Sequence, residues 1–263
     1  MDIIKIENPS SENTIFDSHA HYDDERFADC LEEVLDECFA SGVCGIINCA
    51  VDDESCERII NISKRFPKCF SAIGYHPENL KGFEPDLSAL DRFVNDKSVV
   101  AVGEIGLDYY WDKENAPSQK LWFQAQLQYA NEHSLPVIVH DREAHADCLE
   151  ILKKWKPRGV VHCFSGSAEM AMEIVKLGMY IGVGGVSTFK NAKRVREVIE
   201  VLPKDRLLLE TDAPYLAPEP YRGKTCHSGM IIRVAETIGD IWNISAQEVL
   251  RISRENTNRL FGI

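Results

Sequence analysis

Apolar residues recur along the chain in short, nearly continuous runs, and the longer segments between these runs carry apolar residues at helical spacing. Strands buried on both faces of a parallel sheet have the continuous pattern, whereas half-exposed antiparallel strands alternate. Strands are predicted at Ile15–His19, Gly45–Val51, Cys69–Tyr75, Val99–Ile105, Val137–His140, Gly159–Phe164, Tyr180–Val183 and Leu207–Thr211. Helices are predicted at Phe27–Ala40, Ser55–Phe66, Pro117–His133, Arg142–Trp155, Ala168–Leu177 and Ala192–Val201.

The alternation of strand and helix continues without a Gly/Ser-rich linker or a break in composition. It predicts an α/β fold, a (β/α)8 TIM barrel that forms a single domain over residues 1–263, with an open doubly wound sheet as the alternative. One more helix is predicted to begin at Ser245, because Glu248 follows at the spacing of a capping box. We expect this helix to close one end of the barrel.

Composition and charge narrow the function classes. The chain is 44% hydrophobic and 27% charged, as in an ordinary globular protein. Its net charge of −13 argues against broad electrostatic binding of nucleic acid, so a polyanionic substrate needs a local positive site. Nine cysteines without a C-x-x-C pair predict reduced thiols. With no recognisable secretory signal or membrane span, we expect a cytoplasmic monomer without membrane contact or an obligatory protein partner.

Candidate metal ligands lie at the end of the first predicted strand. His19 and His21 lie two residues apart, so their side chains are expected to project to the same side and could chelate one ion. The ends of other predicted strands carry four more candidate ligands: Glu104, His140, His162 and Asp212. The carboxyl ends of barrel strands converge on one face, where these groups form either a metal centre or a set of structural ion pairs. Imidazoles gain little from such proximity without a metal, because they repel one another once protonated.

Four imidazoles and two carboxylates suit borderline divalent ions such as Zn²⁺ or Mn²⁺, and they suffice for two ions if one carboxylate bridges. Glu104 is the predicted bridge, because the fourth strand lies between the first strand and the strands of the other two histidines. Asp212 is predicted to complete the first ion with the strand-one histidines and to accept a proton from the attacking water. Two such ions can activate a water and stabilise a leaving oxygen.

Six segments along the chain resemble the TatD-type metal-dependent deoxyribonucleases: FDSHAHYD, IGYHPE, VGEIGLDYYW, VIVHDREA, VHCFSGS and LLLETDAPYLAP. The resemblance covers essentially the whole chain. It implies a TIM barrel of the amidohydrolase type, two divalent metal ions (Mg, Mn or Zn) and hydrolysis of DNA phosphodiester bonds. The ligand positions that it implies are His19, His21, Glu104, His140, His162 and Asp212.

Further residues at the predicted catalytic face could serve the substrate. His76 could contact a phosphate or protonate a leaving group, or make only a structural hydrogen bond. Asp108 could orient a ligand imidazole or cap a turn, and Cys163 is expected in the core. Arg222 and Lys224 follow the last strand, where barrels often bind phosphate, and they are predicted to contact the substrate. The family often has an Asn shortly after this Arg-Gly-Lys, where the present chain has residues 225–228, Thr-Cys-His-Ser.

Three functions are compatible with these residues. The first is a two-metal deoxyribonuclease acting on ends or single strands, since weak overall basicity disfavours wrapping of a duplex. The second is a small-molecule amidohydrolase or lactonase with the same metal face. Many such enzymes bridge their ions with a carboxylated lysine, whereas the fourth strand here offers Glu104. The third, a nonhydrolytic metal-binding protein, leaves six ligands without an evident purpose.

Overall fold

A computed structural model describes residues 3–6 and 14–263, so residues 1–2 and 7–13 of the predicted domain lie outside the described part. Eight parallel strands form one sheet in sequence order. They are β1 Ile15–Ala20, β2 Val43–Cys49, β3 Cys69–Ile73, β4 Val99–Asp108, β5 Val137–Arg142, β6 Gly159–Val161, β7 Tyr180–Val183 and β8 Leu207–Leu209. The helices are α1 Leu31–Ala40, α2 Asp53–Arg65, α3 Ala116–Glu132, α4 His145–Trp155, α5 Ala168–Lys176, α6 Lys193–Val201, α7 Ile231–Trp242 and α8 Ala246–Phe261.

The sheet closes on itself, which confirms the TIM barrel and excludes the open sheet. Ala20 at the end of β1 pairs with Ala213 beyond β8. The amide of His21 donates to the Ala213 carbonyl at 2.7 Å, and the amide of Asp212 donates to the His19 carbonyl at 3.0 Å. The two ends of the sheet therefore meet beside the candidate metal ligands. We call this junction of β1 and the segment after β8 the seam.

Strands β4 and β5 extend beyond their predicted ends, because residues 106–108 pair with residues 140–142. Gly106 permits this close approach: its φ is +146°, and a side chain there would collide with the backbone of His140. The extension places Glu104 and His140 inside their strands rather than at the ends. Arg142 consequently belongs to β5, and the fourth helix begins at His145.

Two connections differ from the predicted alternation. Only a short 3-10 helix, Ser88–Arg92, links β3 to β4, and α1 begins at Leu31, after a 3-10 turn at Glu25–Phe27. Helix α7, which the pattern did not predict, follows the long segment after β8. The regular part of the barrel nevertheless has the predicted order of strands.

Helix α8 begins as predicted. The amide of Glu248 donates to Ser245 Oγ at 3.2 Å, while the Glu248 carboxylate pairs with Arg251 instead of completing the capping box. At its other end, Leu260 and Phe261 join the cluster of side chains that fills the barrel interior. Burial of such side chains contributes about 1.5–3 kcal/mol each, so α8 both closes and stabilises this end.

The cysteines and the hydropathy of the helices agree with the sequence analysis. All nine cysteines are free thiols, and seven of them are buried. Within residues 3–6 and 14–263, we find no helix whose length and apolar character would let it cross a membrane.

Candidate metal centre and active-site cavity

The barrel brings the six predicted ligands together at the carboxyl face of its strands. On one side, His19 and His21 turn their Nε2 atoms to within 3.0 Å of each other. These nitrogens lie 3.3 and 3.4 Å from Glu104 Oε2, and both lie 3.5 Å from Asp212 Oδ1. Atoms that ligate one ion tetrahedrally at about 2.0–2.2 Å lie about 3.3–3.6 Å from one another. Each imidazole nitrogen of this group thus lies at a ligand-like distance from one oxygen of Glu104 and one oxygen of Asp212.

The second oxygen of Glu104 faces a different group of imidazoles. Glu104 Oε1 is 2.6 Å from His140 Nδ1 and 2.6 Å from His162 Nε2, and these nitrogens are 3.2 Å apart. His76 Nε2 approaches the same oxygen at 3.7 Å. Burial would raise the pKa of the Glu104 carboxyl, but the surrounding imidazoles hold it well below its ordinary value. An ionised carboxylate with one oxygen toward each group is suited to bridge two cations.

Backbone contacts at the seam place the ligands of the first group. Asp212 has φ +63°, a left-handed conformation that Asp tolerates better than most residues. Asp17 accepts hydrogen bonds from the Thr211 amide at 3.0 Å and the Ser228 hydroxyl at 2.7 Å. Burial raises the pKa of Asp17 to about 6, although these donors oppose the rise. Asp17 therefore ties β1 to the segment carrying Asp212 and touches no imidazole ring.

Each of three ligand imidazoles has a partner behind it. His140 donates from Nε2 to Asp108 Oδ2 at 3.0 Å. The other oxygen of Asp108 accepts from the amides of residues 110 and 111, so this side chain both orients an imidazole and caps a turn. His21 Nδ1 donates to the Cys49 carbonyl at 2.9 Å, and His19 Nδ1 lies 3.3 Å from Cys49 Sγ. These contacts leave His19 Nε2, His21 Nε2 and His140 Nδ1 facing the centre.

The imidazoles differ in protonation. Burial by itself lowers the pKa of an imidazole, but nearby carboxylates outweigh burial in His21 and His140 and raise their pKa values to about 10 and about 9. Burial prevails in His162 and His76, whose pKa values fall to about 4 and about 3. Because metal ligation requires neutral imidazole, binding of an ion here releases protons.

Glu210 belongs to this site, although sequence reasoning assigned it no role. Its side chain is buried, accepts from the Cys163 amide and lies 3.7 Å from His162 Nδ1. Among the described residues, neither Glu210 Oε2 nor His162 Nδ1 has a hydrogen-bond partner. Burial raises the pKa of Glu210 to about 8. The segment LLLETDAPYLAP contains this residue, but no spacing rule connects it with His162.

A cavity of about 940 Å³ opens above the candidate metal centre. His76 lines it as predicted, together with residues that the sequence analysis did not single out: Arg58, Trp111, Arg142 and Tyr215. Arg222 and Lys224 are exposed and are not among its described lining residues, and the Arg222 guanidinium lies 4.5 Å from the Phe189 ring centroid. Residues 226–228, within the segment that departs from the family pattern, are buried.

A second cavity of about 220 Å³ lies between the ends of β6 and β7. Cys163 lines it and is only partly buried, so this thiol lies at the edge of the core and not inside it as expected. Strand β6 ends at Val161, and Cys163 has φ +43°, so strand alternation does not set the direction of its side chain. Arg194 also lines this cavity, whereas Lys193 is exposed and pairs with Glu197 at 3.6 Å.

Comparisons with known proteins agree with this geometry. The sequence model described as TatD related DNase matches residues 16–262. YabD of Bacillus subtilis, named as an uncharacterized metal-dependent hydrolase, is 40% identical over 253 residues, 95% of this chain and 99% of that protein. The 3'-5' ssDNA/RNA exonuclease TatD of Salmonella typhimurium is 34% identical over 209 residues, 78% of this chain and 80% of that protein.

The solved structure of YjjV, a TatD homologue from Escherichia coli K12, matches with a TM-score of 0.89 at 33% identity. The match covers 95% of this chain and 98% of that one. The chain therefore belongs to the TatD related DNase family and is a metal-dependent hydrolase.

Proposed function

We propose that this hydrolase is a deoxyribonuclease that cleaves phosphodiester bonds at ends or in single strands with two divalent ions. The observation that carries the proposal is the division of the Glu104 oxygens between two imidazole groups. A single-ion hydrolase needs no such shared carboxylate. The naming of the Salmonella typhimurium relative as a single-strand exonuclease supports the choice of substrate.

The ions, Mg, Mn or Zn, are held in this proposal by His19, His21, Glu104, His140, His162 and Asp212. When bound, they supply positive charge that lowers the pKa of a water and stabilises negative charge on a phosphoryl oxygen. This charge also offsets the net acidity of the chain at the place where a polyanion must bind.

Asp212 is the proposed general base. Burial would raise its pKa, but the imidazoles of His19 and His21 lower it, so the carboxylate is ionised, as a proton acceptor must be. Glu104 serves as the shared ligand that fixes the distance between the two groups.

His76 is the proposed donor to the phosphate. Its Nδ1 accepts from the Glu78 amide at 3.2 Å, so the neutral ring carries its hydrogen on Nε2. With a pKa of about 3, the ring donates a hydrogen bond at neutral pH and does not supply a proton to the leaving group.

The test is an incubation of the purified protein with 5′- and 3′-labelled single-stranded and duplex oligonucleotides in Mg²⁺, Mn²⁺ or Zn²⁺, with chelator controls. Cleavage of single strands that the chelator abolishes is the expected result. If oligonucleotides stay intact while a lactone or an amide is hydrolysed, the small-molecule hydrolase replaces this proposal. Binding of two ions without hydrolysis of any of these substrates would overturn the nuclease proposal.

Arg222 and Lys224 remain the proposed contacts for phosphates away from the reacting centre. Replacing both with Ala is expected to raise KM for oligonucleotides and to reduce the salt dependence of KM by roughly one contact per lost charge. The value of kcat/KM for bis-p-nitrophenyl phosphate should be unchanged. An equal effect on both substrates would assign the pair to the metal centre or to folding, and no effect would place the strand elsewhere.

A further inference from the structure

Two exposed aromatic rings and one arginine lie together at the rim of the active-site cavity. Trp111 is 61% exposed and Tyr110 is 55% exposed. Their ring centroids are 4.8 Å apart, with the planes nearly perpendicular. The Arg142 guanidinium lies 4.0 Å from the Tyr110 centroid and 5.5 Å from that of Trp111. Exposed large aromatic side chains cost hydration free energy, so a cluster of this kind is typical of a binding surface.

The backbone beneath the two rings is fixed. Both ring-bearing residues donate their amides to Asp108 Oδ1, at 2.9 Å from Tyr110 and 3.1 Å from Trp111. From helix α3, Gln119 Nε2 donates to the carbonyls of Asp108 and Asp112 at 2.9 Å each. The rings are therefore presented on an ordered turn, which lowers the entropy cost of binding a ligand against them.

Arg142 differs from the other arginines near this cavity. Arg58 pairs with Asp23 and Arg26 pairs with Asp24, each at 3.0 Å. Within the part of the chain that the structure describes, no carboxylate forms an ion pair with Arg142. Its contacts are with the aromatic rings, which leave the edges of the guanidinium open to an anion.

This rim group is linked directly to the metal centre. Arg142 lies two residues beyond His140 in β5, and Asp108 contacts both His140 and the turn that carries the rings. Trp111 and Arg142 line the same cavity as Glu104. If the reacting phosphate of a strand lies at Glu104, the nucleotides next to that phosphate therefore lie beside this rim group.

We propose that Trp111 and Arg142 form a nucleotide subsite, in which the indole stacks on an unpaired base and the guanidinium binds the adjacent phosphate. The Tyr110 ring packs against the same guanidinium. The proposal rests on the nuclease function above and specifies its substrate as a single strand, because a base in a duplex offers no free face. Each base has a π face, so this subsite tolerates any sequence.

The decisive experiment removes the base and the indole separately. Eight-nucleotide single strands, each with one abasic residue at a different position, are compared with the intact strand as substrates of wild-type protein and of Trp111→Ala. In the wild type, one abasic position should raise KM about fivefold to 160-fold, which corresponds to the free energy of base stacking on an aromatic ring. In Trp111→Ala, the intact strand should already show the raised KM, and the same abasic position should add no further increase.

Matched variants separate stacking and charge from structural damage. Phe83 is also exposed, at 56%, and is not among the described lining residues, so Phe83→Ala should respond to the abasic series as the wild type does. Trp111→Phe should retain part of the abasic effect. Arg142→Ala should reduce the salt dependence of KM by about one contact, and Arg142→Lys should restore it.

Binding of the same strands in chelator, followed by fluorescence anisotropy, keeps this proposal distinct from the nuclease function. Suppose that no metal ion supports cleavage, but the abasic residue weakens binding to the wild type and not to Trp111→Ala. That result would overturn the nuclease function and support the subsite. Cleavage with an abasic response unchanged in Trp111→Ala would overturn the subsite alone. A change in sedimentation of Trp111→Ala without a change in that response would assign the rings to contact between copies of the chain.

Discussion

The two halves of the proposed metal centre hold their imidazoles in different ways. The seam half consists of His19, His21 and Asp212, and its imidazoles are backed by the thiol and the carbonyl of Cys49. The β5–β6 half consists of His140 and His162, and a carboxylate, Asp108, backs the first of them. A carboxylate behind an imidazole raises its basicity as well as fixing its direction, whereas a thiol adds little charge.

This contrast predicts that the two halves bind ions with unequal affinity and respond separately to substitution. The halves are in contact, because the rings of His19 and His162 stack with centroids 3.9 Å apart, and they share Glu104. Substitutions can therefore be ordered by their expected effect on metal binding and hydrolysis. The largest effect is expected where a substitution changes both halves, a smaller one where it changes a ligand of one half, and the smallest where it changes only a group behind a ligand.

Glu104→Ala changes both halves and should have the largest effect on metal binding and hydrolysis. Loss of the shared carboxylate should lower metal stoichiometry and reduce hydrolysis by several orders of magnitude. The fold should survive, because the barrel is stabilised by its apolar interior. Metal analysis, turnover and circular dichroism measure the three quantities. Full metal content with wild-type turnover would show that Glu104 is not the bridge.

Asp212→Asn should affect the chemistry performed at the seam half. Removal of a general base typically costs about 10²–10⁴-fold in rate, so kcat should fall far more than substrate affinity. Steady-state kinetics with a labelled oligonucleotide separates the two parameters. Normal kcat with a raised KM would reverse the assignment and make Asp212 a binding residue.

Asp108→Asn tests the β5–β6 half from behind. The amide oxygen of Asn can still accept from the turn at residues 110–111, but the charge facing His140 is lost. Affinity for one ion should fall about 10-fold to 100-fold, while the other ion binds as before. Titration of metal-free protein by calorimetry resolves the two ions. Equal weakening of both would contradict the separation of the halves.

Cys49→Ala tests the seam half in the same way and should have the smallest effect. A thiol is a weak hydrogen-bond partner, and the backbone carbonyl that orients His21 remains. The affinity of the ion at the seam should fall less than that of the other ion in Asp108→Asn, by less than about tenfold. Cys49→Ser, which restores a polar partner for His19, should recover part of the loss. A larger loss in Cys49→Ala than in Asp108→Asn would invert the comparison.

The sequence predicted the strands and the six clustered side chains because both follow from local pattern. A buried parallel strand is a short apolar run, and the groups near its carboxyl end must converge once a barrel is assumed. The ends of β4 and β5 were not predicted, because they depend on the pairing of these two strands. That pairing requires the close approach that Gly106 permits. Helix α7 was not predicted because the apolar run at its beginning also fits a buried strand. The run consists of Ile231, Ile232, Val234 and Ala235.

The partners behind the ligands could not be predicted for a related reason. Cys49 lies 30 residues from His19, and Cys163, the hydrogen-bond donor to Glu210, lies 47 residues from it; no local spacing connects either pair. The exposure of Trp111 and Tyr110 could not be predicted either, because aromatic residues are usually buried. Only the folded turn shows that these two rings face outward. Local pattern thus predicted which side chains cluster at the carboxyl face, while the groups that contact them from behind and the exposed rim required tertiary structure.

The seam has a consequence for folding order. Asp17 and Thr211, which join its two sides, are 194 residues apart in a chain of 263. Loop closure over such a distance is entropically costly and is gained only when most of the barrel exists. If His19, His21 and Asp212 hold an ion as proposed, that ion would bind only to a chain whose first and last strands have met. Metal uptake at the seam would then report completed folding and stabilise the closed barrel.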